Sequence, residues 1–147
     1  MRKLIILLLT TFITLNVFGT AQFSDKIIYS GVIYSLDSNP LEDYFDKNPD
    51  KRPTPIIMCT ALWRDYVATF EIKDSTLYLK DIEILADIKT NNGIQNVKWK
   101  SVIDEVFPNQ TNIIINWFSG ILVLPYGKRM NYVQMGYGST FKKYILL

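Results

Sequence analysis

The chain has 147 residues, a formal charge of +2, no histidine and one cysteine. The missing histidine excludes Ser–His and Cys–His nucleophile systems and imidazole metal sites, and a single thiol excludes an internal disulfide. Aromatic residues make up 14% of the chain, enough to supply both a core and a recognition surface.

Residues 1–21 have the order of a secretory signal: Arg2 and Lys3, an apolar run from Leu4 to Val17, then small residues at Gly19 and Ala21. Cleavage is expected after Ala21, with Gly19 as the alternative. The apolar run falls short of the roughly 20 residues that a membrane span needs. The expectation is an extracytoplasmic protein, periplasmic or secreted, with no stable membrane span once the signal is removed. Residues 22–147 then form a single β-rich domain carrying 14 basic and 14 acidic residues. A neutral domain has no electrostatic hold on a polyanion, so nucleic acid is not an expected partner.

Lys26 to Leu36 reads as one strand broken by Gly31, or as two short strands, with Gly31 marking a bulge. Asn39-Pro40-Leu41-Glu42 has the shape of a helix start, Asn as cap and Glu three residues on, and Leu41, Tyr44 and Phe45 share one face. That helix should end before Asn48-Pro49. Asp43, Asp46 and Asp50 lack the register of a calcium loop, so no metal site is assigned. Cys59 follows Ile56-Ile57-Met58, a setting that predicts a buried thiol.

From Tyr66 to Ile72 the residues alternate, with Tyr66, Ala68, Phe70 and Ile72 on one face. Lys73-Asp74-Ser75-Thr76 is turn material, and pairing Ile72 with Leu77 sets Phe70 opposite Leu79. Continued alternation would expose Ile82 and Ile84, so a bulge near Lys80-Asp81 is expected to return both to the core. Trp63-Arg64-Asp65-Tyr66 precedes this hairpin. One reading is a recognition corner, an aromatic beside a cation and an anion. The other is an Arg stacked on Trp63 and paired to Asp65, pinning the strand entry.

The segment TALWRDYVATFEIKDSTLYLKDIEI resembles a W-R-G-Y-x-A-x-[WF]-x-I signature of small bacterial proteins, many of them exported. INWFSGILVLPYG and NYVQMGYGSTFKKYILL are similar to that family's C-terminal signature, W-[FY]-[ST]-G followed by Y-V-x-M-G-Y-G-S. The resemblance implies no activity. It places Gly where this chain has Asp65, and a Gly there implies a positive φ, which Asp is among the few residues to tolerate.

Beyond the hairpin, Thr90 to Gly93 reads as a turn. Trp99, Val102, Ile103, Val106 and Phe107 have helical spacing and predict an amphipathic helix over Lys98–Phe107 with Trp99 in the core. The last third is β: Ile113–Ile115, then Gly120–Leu124, a turn at Pro125-Tyr126-Gly127, and a strand pair from Met130–Tyr137 and Phe141–Leu146.

The fold expected is mainly β, an antiparallel sheet or open barrel-like domain with two short helices, with α+β as the alternative. No recognised active-site motif, cofactor fingerprint or metal cluster is present. The leading functional expectation is a non-catalytic protein that binds an envelope glycan or protein through Trp63, Arg64, Asp65, Tyr66 and Tyr137. One rival is a glycan hydrolase using Glu71, Asp81 and Glu83, which needs two carboxyls about 5–9 Å apart. The other is a structural or assembly role built on open strand edges.

Overall fold

A computed structural model describes residues 19–89 and 95–147. The expected leader core and the Thr90–Gly93 turn lie outside the described residues. The fold is mainly β, with no closed barrel among them. In chain order the elements are β1 (Asp25–Tyr29), β2 (Val32–Leu36), α1 (Glu42–Lys47), a 3₁₀ turn (Pro49–Lys51), β3 (Val67–Lys73) and β4 (Thr76–Lys89). They continue with β5 (Gln95–Ser101), α2 (Ile103–Val106), β6 (Ile113–Ile114), β7 (Val123–Asn131) and β8 (Thr140–Leu146). The main sheet has the order β2-β1-β3-β4-β5, with β6 pairing β4, and β7 and β8 form a separate two-stranded ribbon.

The β3–β4 hairpin forms as its alternation predicts. Ile72 pairs with Leu77 and Phe70 with Leu79. Asp74 and Ser75 both have positive φ, the conformation of a two-residue turn whose twist matches the strands. Register then shifts between Thr69 and Phe70, since Thr69 pairs with Asp81 and Lys80 is left over. This bulge is the one the pattern requires, and Ile82 and Ile84 are buried beyond it.

Gly31 belongs to a turn, not a bulge. Ser30 and Gly31 both take positive φ and close the β1–β2 hairpin. β1 then runs parallel to β3, so the sheet is mixed, with one parallel pair. The α1 start also differs from expectation. Leu41 is the residue preceding the helix and no side chain caps it. Asn39 is drawn away because its Oδ1 accepts from the Tyr137 hydroxyl. The apolar face is as expected, with Leu41 and Phe45 buried.

The helix expected over Lys98–Phe107 is a strand followed by one helical turn. Residues 95–101 carry a period of two as well, Val97 and Trp99 against Lys98 and Lys100. The open edge of β4 takes that segment, pairing Leu85 with Trp99 and Ile84 with Lys100. Ladder hydrogen bonds along a long neighbour outweigh a helical pattern whose charges oppose the macrodipole. Only α2 remains helical, and Val102, Val106 and Phe107 are buried as its spacing implies. Trp99 is therefore not core: it is 38% exposed and meets Phe23 edge to face at 5.7 Å.

Pro125-Tyr126-Gly127 is not a turn either. β7 runs through it, with Tyr126 opposite Lys143 and Arg129 opposite Phe141. Gly127, at φ +78, absorbs the extra residue as a bulge. The partner strand expected to reach Tyr137 stops at Asn131, and residues 132–139 form a loop. Cys59 is half-buried, with Ile56 and Met58 exposed beside it, so the apolar run there is not an interior strand.

The core lies between the sheet and the layer made by α1, α2 and the 107–124 segment. It is centred on Phe45, Tyr66, Phe70, Ile82, Phe107 and Leu124. Phe45 meets the Tyr66 ring at 5.3 Å, while Tyr44 contacts Phe107 and Trp117. The Trp117 indole N–H donates to the Pro40 carbonyl at 3.0 Å, tying the last third to the α1 entry.

Candidate functional site

The turn before β3 separates the residues of the Trp63–Tyr66 cluster. The Leu62 and Asp65 N–H groups donate back to the Cys59 and Leu62 carbonyls. Asp65 takes φ +70, the conformation that the glycine of the resembled signature implies. The chain thereby reverses so that Arg64 points inward while Trp63, 59% exposed, points out.

Arg64 is 2% exposed. Its Nη1 donates to Asp25 Oδ2 at 2.7 Å and its Nη2 to the Phe23 carbonyl at 3.1 Å. The other Asp25 oxygen accepts from the Ala68 N–H at 2.8 Å. Arg64 thus pairs with Asp25, not Asp65, and its guanidinium lies over Tyr66 at 5.3 Å, not over Trp63. Sequence reading missed Asp25 because it is 39 residues away and enters the interior from an otherwise ordinary strand. Burial disfavours the Arg64 charge, but the Asp25 carboxylate more than offsets it and holds the guanidinium above its usual pKa. Burial also pushes the Asp25 carboxyl up, against the pull of Arg64 and the Ala68 amide.

The network continues outward. Tyr66 Oη donates to Glu42 Oε1 at 2.5 Å, and Arg52 donates to both Glu42 oxygens at 3.1 and 2.8 Å. Burial raises the Tyr66 phenol first, with Asp25 and Glu42 adding to it. Burial alone would raise Glu42, but the Arg52 and Tyr66 hydrogen bonds win and its pKa lies below the usual value. Asp25 and Glu42 each have both carboxylate oxygens engaged by internal partners, as buried ionic groups require. The network fixes β1, β3 and α1 against one another.

A cleft lies between the start of the described chain and the β7–β8 loop. Gly136 donates to the Thr20 carbonyl at 3.3 Å, and the Gln22 N–H donates to the Gly136 carbonyl at 3.2 Å. Gln22 also accepts, through Oε1, from the Trp63 N–H at 3.1 Å, placing the Trp63 backbone at the cleft's margin. Ser24, Asp37, Arg129, Tyr132, Tyr137 and Ser139 line a cavity of about 180 Å³. Ser24 Oγ donates to Asp37 Oδ1 at 2.9 Å, and Tyr137 Oη donates to Asn39 Oδ1 at 3.0 Å. Arg129 lies over the Tyr132 ring at 4.9 Å.

Burial pushes the Tyr137 phenol up to about 12, opposed by the Arg64 charge and reinforced by Asp25. Burial likewise raises Asp37, against the Ser24 hydroxyl bond. The loop is shaped closely: a Cβ at Gly138 would meet the Met135 carbonyl at 3.0 Å. Hydroxyls, one carboxyl, one guanidinium and aromatic faces therefore converge on a space that suits one small polar unit. Drug-sized ligands take about 300–1,000 Å³.

Of the five residues singled out from sequence, Tyr137 lines this cleft, the Trp63 backbone sits at its margin, and Arg64 and Tyr66 are buried and not part of its lining. Asp65 serves the turn. Asp37 and Arg129 escaped notice because a strand-end Asp and a strand Arg carry no motif.

The carboxylates of the hydrolase reading are engaged separately. Glu71 pairs with Lys80 at 3.1 Å and Glu83 with Lys26 at 2.8 Å, while Asp81 accepts from Ser101 at 2.6 Å. Glu71 lines a charged cavity of about 310 Å³ with Lys73, Asp74, Tyr78 and Lys80. A larger groove, about 660 Å³, is lined by Tyr29, Leu77, Ile115, Phe118 and Leu122 and offers little beyond hydroxyls for polar recognition. Among the described residues no group of carboxylates and thiols is placed to hold a metal ion, and no helix is long and apolar enough to cross a membrane. No family model matches this chain, and neither the curated proteins nor the solved structures contain a match to it.

Proposed function

We propose that the protein is exported and acts as a non-catalytic binding protein whose cleft takes one sugar unit of an envelope glycan. Export follows from the order of charge, apolar run and small residues in positions 1–21. The observation that carries the binding reading is the convergence of Ser24, Asp37, Arg129 and Tyr137 on one small cavity. A pyranose presents hydroxyls that need paired donors and acceptors, and an apolar ring face that stacks on aromatics such as Tyr132. Trp63, at the margin, extends the contact to a neighbouring unit. Hydrolysis is the weaker reading because Asp37 is the one carboxylate among the cleft's lining residues.

The test is binding of the full chain to a panel of cell-envelope glycans. Asp37→Asn and Tyr137→Phe should each weaken binding by about tenfold or more, as loss of a buried polar contact does. Trp63→Ala should weaken it less. Unchanged binding by both cleft variants would remove this site. Recovery of the unprocessed chain from the cytoplasm would remove export.

A further inference from the structure

Charge is divided unevenly along the chain. All fourteen acidic residues precede residue 106, whereas the stretch after it holds Lys128, Arg129, Lys142 and Lys143 and no acidic residue. Balanced net charge conceals this division. All four cations belong to the β7–β8 ribbon, and none is in an ion pair among the described residues.

The ribbon is also apolar at its surface. From Gly127 to Asn131 every residue of β7 is exposed. Met130 is 63% exposed, Met135 60% and Leu146 61%. Lys142, Tyr144 and Leu146 alternate with Phe141, Lys143 and Ile145, so one ribbon face carries a cation, an aromatic and an aliphatic side chain together. Exposed methionine, tyrosine and leucine interleaved with long basic side chains form the pattern of a surface that lies in a lipid interface.

We propose that the distal β7–β8 ribbon docks on a bilayer rich in anionic phospholipid. Met130 and Met135 enter the headgroup boundary while Lys128 and Lys142 bind phosphates. Gly136, in the loop at this tip, is bonded to Thr20 and Gln22. Cleavage after Ala21 would leave the Gln22 α-amine there as a further cation. A second copy of the ribbon is disfavoured as occupant, since Lys128, Lys142 and Lys143 would face the same cations of the other copy. A polyanionic glycan or nucleic acid would satisfy the cations but leave the methionines and Leu146 without an apolar partner.

The test is cosedimentation of the full chain with vesicles of phosphatidylglycerol and phosphatidylethanolamine, against phosphatidylcholine vesicles. Each cation near an anionic surface strengthens binding about fivefold, so Lys128→Gln/Lys142→Gln should weaken binding to the anionic vesicles about 25-fold. Met130→Ser/Met135→Ser should weaken binding to both vesicle types. All four residues are exposed and outside the cleft, so glycan binding should be unaffected by either double variant. Arg2 and Lys3 would give the leader an anionic preference of its own, so every protein compared, the reference included, carries Arg2→Gln/Lys3→Gln. An anionic preference that survives Lys128→Gln/Lys142→Gln overturns the proposal. So does retention on heparin without vesicle binding, or a salt-sensitive dimer in light scattering without vesicle binding.

Discussion

Arg64 and Asp25 meet at 2.7 Å with both side chains removed from water. A buried ion pair of this kind contributes little net stability over an apolar replacement, but losing one partner strands the other charge. Arg64→Met should therefore cost about 3–5 kcal/mol. Adding Asp25→Asn should recover part of that loss, because Asn still accepts from the Ala68 N–H and no buried charge remains. Urea unfolding of the two single variants and the double would check this. Additive losses would mean that the two residues do not act as a pair.

Glu42 gives the fold an acid-sensitive point. Its pKa lies below the usual 4.5 in the folded chain, through Arg52 and Tyr66. A carboxyl depressed on folding adds stability above its unfolded pKa, and that stability is lost as pH falls through the folded value. Unfolding free energy should decline below about pH 4.5, and Glu42→Gln should flatten this part of the curve. Tyr66→Phe should narrow the same window by removing one of the bonds that holds Glu42 ionised.

Asp37 has the opposite sign. Burial raises its folded pKa above 3.8, so its ionised form weakens the fold at neutral pH, and the penalty fades as pH falls towards the unfolded value. Asp37→Asn should raise the melting temperature at pH 7, with a difference that shrinks on acidification, while glycan binding is weakened. Greater stability with less function is the signature of a site residue. A variant that is both less stable and fully binding would mark Asp37 as structural.

The β3–β4 turn is strained at a residue that can be relieved. Ser75 sits at φ +58, where glycine is preferred over any L-residue. Ser75→Gly should stabilise the protein by about 0.5–1 kcal/mol, read as a rise of a few degrees in thermal unfolding. No change would mean that the serine's own backbone bonds offset the strain.

The legible part of this molecule is the part whose partners are near in sequence. The β3–β4 hairpin, its register and its bulge all follow from alternation and from the need to bury Ile82 and Ile84. The Asp65 backbone was implied only by the glycine of the resembled signature, whereas the α1 face was open to the same reasoning. Residues 95–101 were not, because Val97-Lys98-Trp99-Lys100 satisfies strand and helix patterns alike. Only the exposed edge of β4, set by distant pairing, decides between them. The Arg64–Asp25 pair and the cleft were hidden for a related reason. Asp25, Asp37, Arg129 and Tyr137 come from four separated segments, and no local spacing links them.

The most direct test of the cleft as the ligand site is amide chemical-shift mapping of the full chain, titrated with the tightest glycan of the panel. The account predicts shifts at Ser24, Asp37, Tyr137 and Ser139, with a smaller one at Trp63. Shifts confined to Tyr29, Leu77 and Phe118 around the larger groove, with the cleft amides unmoved, would contradict it.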